Sequence, residues 1–146
     1  MTSPPAISNI HASCVAVAGR GILLMGPSGA GKSDLALRLI DRGAMLVADD
    51  RCDIWIEDGQ LWAAPPANLA GLIEVRGLGI WPQTFLPKAP LSLAVDLQSS
   101  YDRFPMGGLE RQIAGYPIAT LRLNAFEIST PIKIELMLKR IWPDHP

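Results

Sequence analysis

The sequence lacks the features that mark several specialised classes of protein. Its two cysteines, Cys14 and Cys52, form neither a CxxC pair nor a secreted disulfide framework, which predicts reduced thiols. Its 13 basic residues are balanced by 14 acidic ones, so no excess charge would attract the chain to nucleic acid or to a membrane surface. Its first residues do not show the basic-then-apolar pattern of a signal sequence, and no apolar run approaches the roughly 20 residues of a membrane helix. We therefore expect a soluble, cytoplasmic protein.

What is present suits one globular domain. The 146 residues are 49% apolar, enough to bury a substantial core. Residues 1–146 are expected to form a single domain, with residues 1–9 disordered or only loosely docked. Short apolar runs bounded by turn residues predict strands, and helical spacing predicts helices. The expected strands are 11–18, 21–25, 45–48, 53–57, 60–63, 72–75, 91–97 and 118–123, and the expected helices are 33–42 and 130–142.

A glycine-rich string after the second of these strands fits G-x-x-x-x-G-K-[ST] at every fixed position. It consists of Gly26, Pro27, Ser28, Gly29, Ala30, Gly31, Lys32 and Ser33. Glycines let backbone N–H groups face inward around phosphate oxygens, and the start of the following helix adds its own free N–H groups. Lys32 can then reach the outer phosphates, and the Ser33 hydroxyl can ligate Mg²⁺. A chance match in an ordinary turn is the alternative, but the flanking strand and amphipathic helix favour a P-loop.

Two adjacent carboxylates, Asp49 and Asp50, close the strand that follows the P-loop helix. A strand–helix–strand connection of this length places both strands parallel in one sheet, so that their carboxyl ends share an edge. We therefore expect the aspartates beside the phosphate site. Adjacent strand residues point to opposite sides, which would leave one carboxylate for the metal and one for an incoming hydroxyl. Without a P-loop the same pair would be interpreted as turn or helix-capping residues.

Four further polar residues are candidates, each with an ordinary alternative. Glu74 and Arg76 would share one strand face, where they could hold Mg²⁺ and neutralise transferred charge or simply form a surface ion pair. His11 could be a general base or a hydrogen-bonded core histidine. Arg103, next to Asp102, is by itself typical of a loop.

Three segments taken together resemble the HPr kinase/phosphorylase family, specifically its C-terminal catalytic domain. They are HASCVAVAGRGILLMGPSGAGKS, LALRLIDRGAMLVADDRCDIW and AAPPANLAGLIEVRGLGI. The similarity covers residues 11–80 and returns weakly at 101–104. The resemblance implies an α/β fold, a β-rich P-loop kinase variant similar to that of phosphoenolpyruvate carboxykinase. It also implies a hexamer that transfers phosphate from ATP to a serine of HPr, the small carrier protein of the sugar phosphotransferase system.

The resemblance implies roles for individual residues as well. The segment 26–33 would bind the nucleotide phosphates, Ser33 and Glu74 would hold Mg²⁺, and Asp49 would support the metal and its water. Asp50 would take the serine proton. The other positions that match catalytic ones are His11, Lys32, Arg103 and, within the signature segment 74–80, Arg76.

Two departures from the family pattern leave parts of this interpretation open. The chain has no room for the N-terminal domain of typical members, so we expect a short form. The family's Gly-Arg-Asn segment near the C-terminus is replaced by TLRLNAFEISTPIKIE, which leaves the reverse phosphorylase reaction and the hexamer undecided. A P-loop kinase of a small metabolite and a non-catalytic, ATP-responsive regulator remain as alternatives.

Replacing Lys32 tests the P-loop assignment. The change removes the ammonium that reaches the outer phosphates, so Lys32→Ala should weaken triphosphate binding and turnover together. Calorimetric titration with ATP and a phosphotransfer assay measure the two effects. Unchanged ATP affinity in the variant would contradict the assignment.

Overall fold

The computed structural model describes residues 6–104 and 110–143, and a mixed β-sheet forms most of this part of the chain. The strands are β1 (Ser8–Ile10), β2 (Ala12–Val17), β3 (Arg20–Met25), β4 (Met45–Ala48), β5 (Cys52–Glu57), β6 (Gln60–Ala64), β7 (Leu72–Val75), β8 (Gly79–Pro82), β9 (Ala89–Leu97), β10 (Glu110–Ile113) and β11 (Tyr116–Leu123). The helices are α1 (Lys32–Asp41) and α2 (Thr130–Ile141), with a short 3₁₀ turn at Ala67–Leu69. No helix within these ranges has the length and apolar character needed to cross a membrane.

β3, the strand that precedes the P-loop, lies in the interior of the main sheet. The strand order is β1-β5-β6-β9-β3-β2-β4, with β11 parallel to β9 and β10 antiparallel to β11. β3 is parallel to β9, whereas β2 is antiparallel to both β3 and β4. β3 and β4 are therefore parallel, as predicted, although β2 lies between them. The carboxyl ends of β4, β3, β9 and β11 consequently face one edge of the sheet.

Alternation of side chains along the central strands builds two hydrophobic layers, one on each face of the sheet. In β3, Ile22 and Leu24 belong to the layer that contains the helices, whereas Leu23 belongs to the other layer. Both helices pack on the first layer through buried side chains at helical spacing, namely Leu35, Leu39, Ile134 and Leu138.

The second layer contains both cysteines. Cys14 and Cys52 are fully buried and free, in agreement with the predicted reduced thiols. A hydrogen bond to Cys52 and burial both raise the pKa of the Cys14 thiol well above its usual range. Cys14 therefore stays protonated and packs as a small apolar side chain.

Gly43 ends the P-loop helix. Its φ of 110° lies in the left-handed region that favours glycine. The Gly43 N–H donates to the Ile40 carbonyl and the Ala44 N–H donates to the Leu39 carbonyl, each at 3.0 Å. These two bonds form a Schellman motif that turns the chain into β4. The helix end predicted from this glycine is therefore confirmed.

The differences from the sequence predictions fall on short or exposed segments. The predicted disorder of residues 1–9 is wrong for Ser8 and Asn9, which form part of β1 and pair with β5. Residues 1–5 lie outside the described residues. The sequence pattern does not reveal β1, β8 or β10, because each has only three or four residues and its side chains are mostly exposed.

Two leucines provide a matched test of the helix packing. Leu39 in α1 is fully buried, whereas Leu78 in the turn between β7 and β8 is exposed. Leu39→Ala leaves a cavity against the sheet and should lower the free energy of unfolding by about 2–5 kcal/mol. Leu78→Ala should change it by less than about 0.5 kcal/mol. Equilibrium denaturant unfolding measures both values, and similar losses in the two variants would contradict this arrangement of the helices.

Candidate active site

The P-loop connects the end of β3 to the start of α1. Its residues 26–31 lead to Lys32, where the helix begins. Gly31 caps the helix with a φ of 91°, and a β-carbon at this position would lie 2.9 Å from the Ala125 side chain. Both facts require glycine. The Leu35 N–H donates to the Gly31 carbonyl at 2.9 Å, so the earlier N–H groups of the helix are the ones without an intrahelical partner. Such groups suit an anion at the loop.

Lys32 lies against the loop with 7% of its surface exposed. Its ammonium donates to the Gly26 carbonyl at 2.8 Å and to the Pro27 carbonyl at 3.0 Å. Burial lowers the pKa of Lys32, while the carboxylates of Asp50 and Asp49 act in the opposite direction. A phosphate anion in the loop would favour the charged ammonium in the same way as these carboxylates.

Asp49 is a buried carboxylate, 5% exposed, with three hydrogen-bond donors. One of its oxygens accepts from the Ser13 and Ser33 hydroxyls, each at 2.8 Å. The other accepts from the Glu74 backbone N–H at 2.9 Å. A buried charge is tolerated when it is paired or well hydrogen-bonded, and these bonds meet that need. They also join the end of β4 to β2, α1 and β7. The P-loop serine and the first aspartate thus lie together, as the sequence predicts.

Asp50 points the opposite way, towards the surface. Its side chain is 60% exposed, and one carboxylate oxygen lies 3.0 Å from His11 Nε2. Its φ of 70° lies in the left-handed region, which aspartate adopts more readily than most residues. The Asp50 N–H donates to the Ser13 hydroxyl at 3.3 Å. One carboxylate is buried and the other is exposed, as the sequence predicts, but β4 ends at Ala48, so this division does not follow from strand alternation.

The prediction that Glu74 and Arg76 share one strand face is wrong, because only Glu74 lies in the strand. β7 ends at Val75, and Arg76 lies in a turn closed by a 2.8 Å bond from the Leu78 N–H to the Val75 carbonyl. The alternation that places i and i+2 on one face therefore stops before Arg76. The Glu74 side chain is exposed, and it is the Glu74 backbone that contacts Asp49.

Arg103 lies on the surface after β9, with its guanidinium 5.7 Å from the centre of the Phe104 ring, a cation–π distance. In the part of the chain that the structure describes, neither Arg103 nor Arg76 forms a hydrogen bond or ion pair with the two aspartates. The residues that hydrogen bonds and charge interactions do bring together are His11, Lys32, Ser33, Asp49, Asp50 and Glu74.

Ser13 is a residue of this site that the sequence interpretation missed. It is fully buried, donates to Asp49 and accepts from the Asp50 N–H. A signal for it exists, because Ser13 is a polar residue that interrupts the apolar strand β2. A buried hydroxyl needs a hydrogen-bond partner, which indicates a polar contact across the sheet.

The sequence matches a known protein family over most of its length. A profile described as HPr Serine kinase C-terminal domain covers residues 5–133. This chain belongs to that family. The fold agrees, since the structure of the Hpr(Ser) kinase/phosphatase from Coxiella burnetii is similar with a TM-score of 0.75 and 26% identity, over 91% of this chain and 89% of that chain. The predicted α/β, β-rich P-loop fold is therefore confirmed.

Curated relatives of the family are similar over part of their length. The HPr kinase/phosphorylase of Streptococcus gordonii is 36% identical over 129 residues, which cover 80% of this chain and 42% of that protein. The HPr kinase/phosphorylase of Streptococcus thermophilus is 47% identical over 74 residues, 50% of this chain and 24% of that protein. The chain thus spans less than half the length of the curated relatives it matches.

The donor set of the site suits a magnesium ion that is held together with a nucleotide. Mg²⁺ takes oxygen ligands and is usually bound through one or two carboxylates, substrate phosphates and water. The Ser33 hydroxyl and the Asp49 carboxylate supply such oxygens 2.8 Å apart, and Glu74 adds an exposed carboxylate on β7. Among the described residues, no three histidine, cysteine or acidic side chains form a cluster that could hold an ion alone. The site therefore fits a metal that binds with phosphate.

Ser13→Ala tests the network around Asp49. It removes one donor from a buried carboxylate, and a hydrogen bond to a charged group contributes about 1.5–3 kcal/mol, so the free energy of unfolding should fall by about that amount. Ser8→Ala, the same change at an exposed position of β1, is the control and should have an effect below about 0.5 kcal/mol. Equal stability of the two variants in chemical denaturation would show that the network does not stabilise the fold.

Proposed function

We propose that residues 1–146 form the catalytic domain of an ATP-dependent protein-serine kinase that phosphorylates HPr. The observation that carries the proposal is an exposed carboxylate, Asp50, beside a P-loop whose Ser33 is bonded to the neighbouring Asp49. Membership of the family and the similarity to proteins named HPr kinase/phosphorylase support the same activity.

ATP would bind with its phosphates in the P-loop. Inward-facing N–H groups and the first turn of α1 would hold the phosphate oxygens, and Lys32 would neutralise charge on the outer phosphates. Mg²⁺, held by Ser33, Asp49 and Glu74, would stabilise the negative charge that develops on the β- and γ-phosphates. Because Asp49 accepts a hydrogen bond from Ser33, it would also fix the orientation of that hydroxyl.

Asp50 would act as the base for the acceptor serine. The serine hydroxyl gives its proton to the Asp50 carboxylate as its oxygen bonds to the γ-phosphorus. The bond from that phosphorus to the β–γ bridging oxygen breaks, and ADP leaves with the electron pair. His11, 3.0 Å from the Asp50 carboxylate, would hold this base in place. In the reverse, phosphorylase direction the bond between the serine oxygen and phosphorus would break, inorganic phosphate would accept the phosphoryl group to give pyrophosphate, and the protonated Asp50 would return its proton to the serine oxygen.

An exposed base favours a protein acceptor over a small metabolite. Small-molecule sites enclose most of their ligand, whereas 60% of the Asp50 side chain is open to solvent, and Glu74, whose backbone contacts Asp49, is exposed as well. Arg76 and Arg103 are also exposed, and we assign them to neutralising the transferred phosphate once the acceptor has docked. A non-catalytic regulator would have no use for a base in this position.

The proposal includes a homo-oligomer, a hexamer by family resemblance, that acts in the cytoplasm. Exposed apolar side chains on α2, Ile132 and Leu136, offer a surface for a second subunit. The free, buried thiols of Cys14 and Cys52 suit a reducing compartment. The proposed partner is HPr, and neither nucleic acid nor a membrane is involved.

Phosphotransfer to HPr from the same organism tests the proposal. The purified protein is incubated with Mg²⁺, ATP and HPr, and mass spectrometry locates the added phosphate. Phosphate on a serine of HPr supports the proposal. Tight ATP binding with unmodified HPr would overturn it, and phosphate recovered on an added metabolite would favour the small-molecule kinase instead.

Asp50→Asn separates binding from transfer. The amide cannot take the serine proton, so transfer to HPr should fall about 10²–10⁴-fold, while the exposed position leaves ATP affinity unchanged. Asp58→Asn is a matched control, because Asp58 is an exposed aspartate with a positive φ of 52° in the β5–β6 turn; its transfer rate should equal that of the wild type. A wild-type kcat in Asp50→Asn would remove this residue from the base role.

A further inference from the structure

The P-loop has two sides along the sheet edge, and the aspartates occupy only one of them. Beyond β2 lies the end of β4, which carries Asp49 and Asp50. On the other side lie the ends of β9 and β11, which run parallel to β3. Ligands of α/β sheets bind outside the carboxyl ends of the strands. The β9–β11 side is therefore available to the part of a ligand that does not react.

A cavity of about 290 Å³ lies on this second side. It is lined by residues 27–30 of the P-loop, residues 97–99 at the end of β9, and Asn124 and Phe126 after β11. Its volume is close to the lower end of the range for small-molecule pockets, about 300–1,000 Å³. Because the P-loop forms one of its walls, a group in this cavity would adjoin a phosphate held by the loop.

Phe126 brings an aromatic ring to this cavity although 64% of the residue is exposed. The ring lies against the P-loop, since a β-carbon at Gly31 would be 3.1 Å from its Cζ atom. An apolar ring left in water forgoes the stabilisation that burial gives. A flat ligand group placed over Phe126 would recover that stabilisation beside the phosphate site.

The backbone that carries Phe126 is fixed by hydrogen bonds from three parts of the chain. The Phe126 N–H donates to the Asn124 side-chain oxygen at 2.9 Å, and the Asn124 amide donates to the Ser99 carbonyl at 3.1 Å. Arg38 of α1 donates to the Ala125 carbonyl. A ligand would therefore meet a segment whose backbone is already held in place, which lowers the entropy cost of binding.

We propose that Phe126 is the stacking surface for the base of the bound nucleotide. This inference rests on the proposed function, in which the outer phosphate lies beside Asp50. A nucleotide with its phosphates in the loop and its outer phosphate at the aspartates extends its nucleoside to the opposite side, where the cavity lies. Every nucleobase has a π-face that stacks on aromatic side chains. Ser28, Gln98 and Ser99 line the same cavity and offer polar groups to the ribose and the base edge.

Paired calorimetric titrations with Mg-ATP and with inorganic tripolyphosphate test this inference, because the second ligand has phosphates but no base. Phe126→Ala should weaken ATP binding about 5- to 150-fold, the range for loss of one base–aromatic stack, and leave the tripolyphosphate affinity unchanged. Phe126→Tyr keeps the ring and should retain the ATP affinity. Ile128→Ala is the control in the same segment; Ile128 is 93% exposed and outside the cavity lining, so both affinities should be unchanged.

Any other outcome would overturn either the stacking role of Phe126 alone or that role together with the proposed function. Equal weakening of both ligands in Phe126→Ala would mean that the ring only supports the P-loop. Unchanged ATP affinity in that variant would mean that the base binds elsewhere. Either result overturns the stacking role and leaves the proposed kinase intact. Wild-type protein that binds neither ligand would overturn the proposed function and the stacking role together.

Discussion

The hydrogen bonds of the buried Asp49 carboxylate are the interaction on which the rest of the site depends. Removing an ionised group from water costs several kcal/mol unless polar partners replace its hydration. Ser13, Ser33 and the Glu74 N–H replace it here, and each belongs to a different element. Satisfying one charge thus fixes β2, α1 and β7 against the end of β4. It also sets the P-loop beside the strand that carries the aspartates.

Asp49 is buried beside the P-loop, whereas the adjacent Asp50 is exposed. Asp50 follows the end of β4 with a left-handed backbone and is exposed, and His11, just before β2, contacts its carboxylate. The result is a buried, hydrogen-bonded carboxylate next to the phosphate site and an exposed one next to the solvent. The proposed phosphoryl transfer to a protein would use both environments, because preorganised polar groups would stabilise the phosphates while a bulky acceptor reaches the base. The same edge continues past the P-loop to Phe126, so a nucleotide would lie across it.

The sequence predicts the parts of the site that depend on local pattern. The P-loop is recognisable because its glycines, Lys32 and Ser33 stand at fixed spacing between a strand and a helix. The central strands are recognisable as apolar runs, whereas short, exposed strands take their place from the partners they pair with. For Ser13 the local pattern signals a polar residue in an apolar strand but not its partner, and for Phe126 it signals nothing. The contact of Ser13 with Asp49 and that of Phe126 with the P-loop join segments far apart in the chain. Arg76 could not be placed correctly, because side chains alternate between faces only within a strand and β7 ends at Val75.

A crystal structure of the protein with Mg²⁺ and a non-hydrolysable ATP analogue would test the central claim most directly. The outer phosphate should lie between Lys32 and Asp50, the metal should bind the Ser33 hydroxyl, and Asp49 should remain within reach of both. A nucleotide whose outer phosphate faces away from Asp50, or an Asp49 carboxylate that has left Ser33, would contradict the claim that one buried charge organises this site for phosphoryl transfer.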